Sequence, residues 1–123
     1  MLKEIFLVGA GGFAGSALRY GATLWVSSYG LHTGRYPLST FLVNFLGSFL
    51  IGILIRNIEQ DNAWSLLAMV GFCGGFTTFS TFSLEVVNML RSGDFFHAVG
   101  YALFSVMICA AAVVLGMLIN FHR

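Results

Sequence analysis

Gly71-Phe72-Cys73-Gly74-Gly75-Phe76-Thr77-Thr78-Phe79-Ser80-Thr81-Phe82-Ser83 lies in the middle of a hydrophobic stretch long enough to cross a membrane. It is crowded with glycine and hydroxyl residues, which suit a lipid-facing helix poorly. In lipid every backbone N–H and C=O must find a partner within the protein. Irregular backbone at that depth is tolerated where it is buried or lines a wet cavity. The segment therefore predicts a broken helix beside an ion or substrate pathway, rather than a plain anchor.

The rest of the chain sets the solvent. Its 123 residues are 58% hydrophobic and 9% charged, with a mean hydropathy of +0.87. A soluble domain carries about a quarter charged residues. This chain has too little polar surface for water and belongs among membrane lipid. A net charge of +1 argues against nucleic acid as a partner. Four apolar segments read as helical spans of one transmembrane domain, residues 1–123: about 2–25, 37–55, 63–90 with a break near 74–80, and 96–121. A spanning helix needs about 20 apolar residues, and all four segments are expected to qualify. Pro37 suits a helix start, residues 56–62 form a polar connection, and Arg91-Ser92-Gly93-Asp94 reads as a tight turn. Small residues between Ala14 and Ala17 follow an apolar run, as at a signal cleavage site. We read the first segment as an uncleaved helix.

Charge gives almost no orientation. With four spans, Lys3, Arg56 and Arg123 share one side of the membrane. Arg35 and Arg91 share the other, and Arg19 lies toward it. So even a balance fails to fix topology by the positive-inside rule. It fits a weakly biased protein oriented by the insertion machinery, or, the reading we favour, a dual-topology protein inserted both ways and paired as an antiparallel homodimer. A chain this short is also small to enclose a pathway alone.

Gly9-Ala10-Gly11-Gly12-Phe13-Ala14 matches a dinucleotide fingerprint on paper. That fold needs an acidic residue about 20 positions on, and no Asp or Glu occurs between Glu4 and Glu59. Gly11 and Gly15, with Gly12 and Ser16, read instead as faces of small residues that let helices approach closely. Cys73 and Cys109 show no zinc spacing and read as small packing residues. His32, His97 and His122 are unclustered, and no nucleophile–histidine–acid set is present, so the chain is not read as an enzyme.

Polar residues inside the spans carry the function. Thr40, Asn44, Gly47 and Ser48 recur at three- and four-residue spacing, hence along one helical face. A polar stripe lines a pathway, although a mid-membrane Asn also serves as glue between helices. Phe79 and Phe82 share a face if helix resumes after the break. Ordinary packing explains many of the 13 Phe. Yet an aromatic ring is positive at its edge and meets an anion without trapping it. Arg19, late in the first span, either snorkels to the interface or places positive charge in a vestibule at the mouth of an anion path. Glu85 lies toward the end of the third span, and no span has a central carboxylate, which weakens any proton-coupled mechanism.

Three stretches together resemble the Fluc (CrcB) family of fluoride channels: residues 11–20 (GGFAGSALRY), residues 40–47 (TFLVNFLG), and the segment from Gly71 to Ser83. The third is long and highly specific; the others are supportive. Ser16 stands where the family usually has Ala, and Ser39 where Gly is usual. Both changes are small for small. The resemblance implies an all-α integral membrane protein of four helices, the third broken, assembled as a dual-topology antiparallel homodimer with two fluoride pathways. It implies a passive fluoride-selective channel of the bacterial inner membrane that relieves fluoride toxicity. It implies a structural, untransported Na⁺ at the dimer centre, held by the backbone carbonyls of Gly74 and Thr77. It places Phe79, Phe82 and Asn44 on the fluoride path, with Thr40, Thr81, Ser105 and Tyr101 as further pathway candidates. Two other readings compete. A small multidrug exporter shares length and charge balance but needs a membrane carboxylate early in the chain, where only Glu4 is found. A non-transporting assembly factor would leave the polar stripe as packing alone.

Overall fold

The apolar runs fold into helices and no strand occurs among the described residues. The structure, a computed structural model, describes residues 1–30 and 37–122. His32, Gly34 and Arg35 of the first connection, and Arg123 of the charge balance, lie outside the described residues. Helix α1 spans Leu2–Ser28, with Glu4 in its first turn, where the helix dipole favours an anion. Helix α2 spans Leu38–Asn57, with Pro37 at its N-cap. Helix α3 covers residues 63–76, entered through Asn62, whose side chain accepts from the Trp64 N–H at 3.2 Å. Helix α4 spans Phe79–Arg91 and α5 spans Phe95–Met117.

Three of these stretches are long and apolar enough, by length and composition, to cross a membrane: α2, the composite Ala63–Arg91, and α5. The expectation that all four segments qualify is corrected for α1. At 27 residues it is long enough, but Arg19 and five glycines lower its hydropathy.

Helix α3 is not a plain α-helix. Between Ala63–Ser65 and Gly74–Phe76, the stretch Leu66–Cys73 is π-helical. Such wide turns are rare and gather at functional sites. Helix α1 packs along α3 and α2 along α5, with α4 also against α5. The first two contacts are made at glycines. A Cβ on Gly11 would strike the Leu67 carbonyl, and one on Gly15 the Phe72 carbonyl. A Cβ on Gly52 would strike the Val113 carbonyl, and one on Gly116 the Phe49 carbonyl.

The turn from α4 to α5 is closed by Gly93 at φ 82°, a conformation that penalises any side chain. The Asp94 N–H reaches back to the Met89 carbonyl at 3.0 Å and the Gly93 N–H to that of Leu90 at 3.1 Å, a Schellman cap. A small buried cluster of Met89, Ala98 and Tyr101, with Phe41 and Phe82 against it, fixes α4 on α5.

Candidate functional site

The break falls at Thr77 and Thr78, both extended, with ψ of 156° and 119°. Its loose backbone groups are taken up by four side chains. Asn44 of α2 binds Thr78 twice: its Nδ2 donates to the Thr78 carbonyl at 3.1 Å, and its Oδ1 accepts the Thr78 N–H at 2.7 Å. Thr78 Oγ1 accepts the Thr81 N–H at 3.2 Å and caps α4. Thr77 Oγ1 donates to the Cys73 carbonyl at 2.8 Å, which also accepts the Thr77 N–H. Arg19 Nε donates to the Gly75 carbonyl at 3.0 Å. Arg19 therefore ties α1 to the end of α3.

Two carbonyls are left out of this scheme. A continuous helix would give the Thr78 N–H to the Gly74 carbonyl and the Thr81 N–H to the Thr77 carbonyl. Asn44 and Thr78 Oγ1 take those donors instead.

Beside the break runs a groove of about 470 Å³, open along one side. Asn44, Ser48, Thr78, Phe79, Phe82 and Ser105 supply its polar and aromatic lining, and Gly74 and Thr77 border it. No charged side chain is among its lining residues. Phe79 and Phe82 sit with ring centroids 5.9 Å apart, inclined at 41°. The Ser105 hydroxyl is buried. Asn44, with one N–H spent on Thr78, keeps its second amide N–H.

Other residues expected on the path gather elsewhere. Thr40 Oγ1 donates to Glu85 Oε1 at 2.6 Å and the Tyr101 hydroxyl to Glu85 Oε2 at 3.0 Å. Thr40, Glu85 and Tyr101 thus form a part-buried polar cluster joining α2, α4 and α5. Phe82 links it to the groove, its ring 5.3 Å from that of Tyr101. Thr81 takes part through its backbone N–H.

The sequence reading left two contributors out of the site, Thr78 and Glu85. A Thr just before a resuming helix is a capping signal. Glu85 is the one acidic residue between Asp61 and Asp94, and an ionisable group within a span marks function by default. Among the described residues, no cluster of three or more His, Cys, Asp or Glu is placed to hold a metal ion.

The sequence that builds this break and groove has relatives among known proteins. Residues 6–117 match the family described as CrcB-like protein, Camphor Resistance (CrcB). A fluoride-specific ion channel FluC of Azobacteroides pseudotrichonymphae is 42% identical, over 98% of this chain and 98% of its own. The FluC of Elusimicrobium minutum is 44% identical over 94% and 92%, and that of Chlorobaculum tepidum 47% over 80% and 79%. The relatives bearing these names are ion channels rather than enzymes. A family match running from α1 to the end of α5, with relatives alike over nearly their full length, places this chain in the CrcB (FluC) family.

Proposed function

We propose that this protein is a passive, fluoride-selective channel of the bacterial plasma membrane that lets cytoplasmic fluoride escape. The observation that carries this reading is the groove: an amide, two phenyl rings and the hydroxyl residues Ser48 and Ser105 along its wall, with no charged side chain among them. A full positive charge would hold an anion fast. Ring edges and neutral donors attract it weakly at several points, which conduction requires. Asn44 offers an N–H, while Phe79 and Phe82 offer ring edges. The names of the relatives support fluoride as the anion.

The physiological logic is acid chemistry. Hydrogen fluoride crosses bilayers as a neutral molecule and ionises in a near-neutral cytoplasm. The trapped anion then leaves down its electrochemical gradient, driven by a potential negative inside. No energy coupling is needed.

A single subunit leaves the path unfinished. The groove is open along one side, and Phe79 on its wall is 78% exposed. We read the closing wall as a second copy, inserted in the opposite sense, giving an antiparallel dimer with two pathways. Gly74 faces open space, with no atom from another part of the chain within 4 Å of where a Cβ would stand. The carbonyls of Gly74 and Thr77, stripped of their helical donors, are hard oxygen ligands suited to Na⁺. Bound there, the cation would supply positive charge that satisfies exposed carbonyls and holds two broken helices together. It would not be transported.

The test is fluoride efflux from liposomes holding the purified protein, with chloride efflux as the paired control. Rapid fluoride release without chloride release, abolished by Phe82→Ile, is the expected result. A well-folded protein that releases no fluoride would overturn the reading.

A further inference from the structure

Two thiols stand on the groove wall, and the fluoride pathway leaves them without a role. Cys73 comes from α3 and Cys109 from α5; both are free, and both line the same groove as Ser105. Cys109 is partly exposed, whereas Cys73 is 2% exposed and lies deeper. Ser105 precedes Cys109 by one helical turn and so shares its face. The wall thus carries two sulfurs, one from α3 and one from α5. It carries no Lys or Arg to repel a cation, and no carboxylate to favour a hard one.

We propose that Cys73 and Cys109 make this groove a binding site for soft, thiophilic monovalent cations, and that capture of such a cation closes the pathway. The closure rests on the channel reading given above; the binding does not. Sulfur ligands select soft ions over Na⁺, K⁺ or Mg²⁺, so the site is distinct in chemistry from any carbonyl site at the break. Capture is a substitution at sulfur: the S–H bond of Cys109 breaks, an S–Ag bond forms, and the proton leaves to water. The Cys73 sulfur adds a lone pair. No oxidant is consumed. The captured ion sits among Asn44, Phe79 and Phe82, where it obstructs the route that an anion would take.

The experiment uses silver ion as silver nitrate, in chloride-free nitrate medium, on the full-length protein in liposomes. Fluoride efflux is read before and after addition, and each variant is compared with its own silver-free rate. The wild type should slow by an order of magnitude or more and recover on adding dithiothreitol. Cys109→Ser should lose this sensitivity, and Cys73→Ser should weaken it. In parallel, silver bound to detergent-purified protein should fall from one ion per chain to none in the double variant. Wild-type efflux untouched by silver, or a block that survives in Cys109→Ser, overturns the inference. If no variant conducts fluoride even without silver, the channel reading fails by itself. The binding measurement then decides the thiol site: cysteine-independent silver binding overturns it.

Discussion

At the scale of single residues, the break is held open by Asn44. Its one side chain satisfies both the N–H and the C=O of Thr78. Thr78 is half-buried on the groove wall, and leaving one of those groups unmade costs about 1–3 kcal/mol. Asn44→Leu is therefore expected to destabilise the break and reduce fluoride flux by about tenfold or more, an effect corresponding to roughly 1.4 kcal/mol. Asn44→Asp keeps the acceptor for the Thr78 N–H but loses the donor to its carbonyl, and adds an anion-repelling oxygen. It should fold better than the leucine variant yet conduct poorly. Flux in liposomes, set beside melting temperature in detergent, separates the two effects. Asn57 provides the contrast. It binds the Ile53 carbonyl at 2.8 Å, the Ile119 carbonyl at 2.9 Å and the Phe121 N–H at 2.7 Å, at the end of α2 and outside the groove lining. Asn57→Leu should lower the melting temperature while the ratio of fluoride to chloride flux stays unchanged. A changed ratio there would mean that selectivity is spread beyond the groove.

At the scale of elements, glycines set how closely the helices approach. Gly11 and Gly15 admit the backbone of α3, and Gly75 admits Gly12 of α1 in return. Gly9 and Gly21 lie on the same helix with nothing near them. Gly15→Val should force α1 and α3 apart at a cost of about 1–3 kcal/mol or more. Because Arg19 reaches the Gly75 carbonyl across that same contact, the break should loosen as well. Gly9→Val should be tolerated. Melting of both variants in detergent checks the contrast, and equal losses would refute the close-approach account. This level also shows how far sequence carried. Helical spans, the Gly-Thr interruption and the small-residue face of α1 were legible, because each is written in local composition. The π-helical turn of Leu66–Cys73 was not, since no residue type encodes that hydrogen-bond choice. Nor was it legible which glycines touch, because Gly9 and Gly11 differ only in what lies opposite. Asn44, Phe79 and Phe82 could be named from spacing and resemblance. The Thr40–Glu85–Tyr101 cluster needed three elements brought together from distant parts of the chain.

At the scale of the whole molecule, the groove needs a closing wall and the charges refuse an orientation. On the four-span reading, Lys3 and Arg56 would share one side of the membrane and Arg91 would lie on the other. A small change in that balance should fix the topology, since Lys and Arg near span ends decide it. The variant Glu59→Lys with Gln60→Lys adds charge to the connection between α2 and α3, where both positions are exposed. The variant Lys3→Gln with Arg56→Gln removes charge from the same side, again at exposed positions. Each variant alone should collect in one orientation, the two in opposite ones. If the working unit is antiparallel, either population alone lacks its partner and should give little fluoride flux. Expressed together, the two should pair and restore it. Full flux from each variant alone, with orientation verified by labelling of a terminal tag, would sink the antiparallel dimer. The open groove would then need another wall. Restoration only on co-expression would mean that the near-zero charge bias has a purpose. It keeps both orientations populated, so that each subunit's groove meets the surface that closes it.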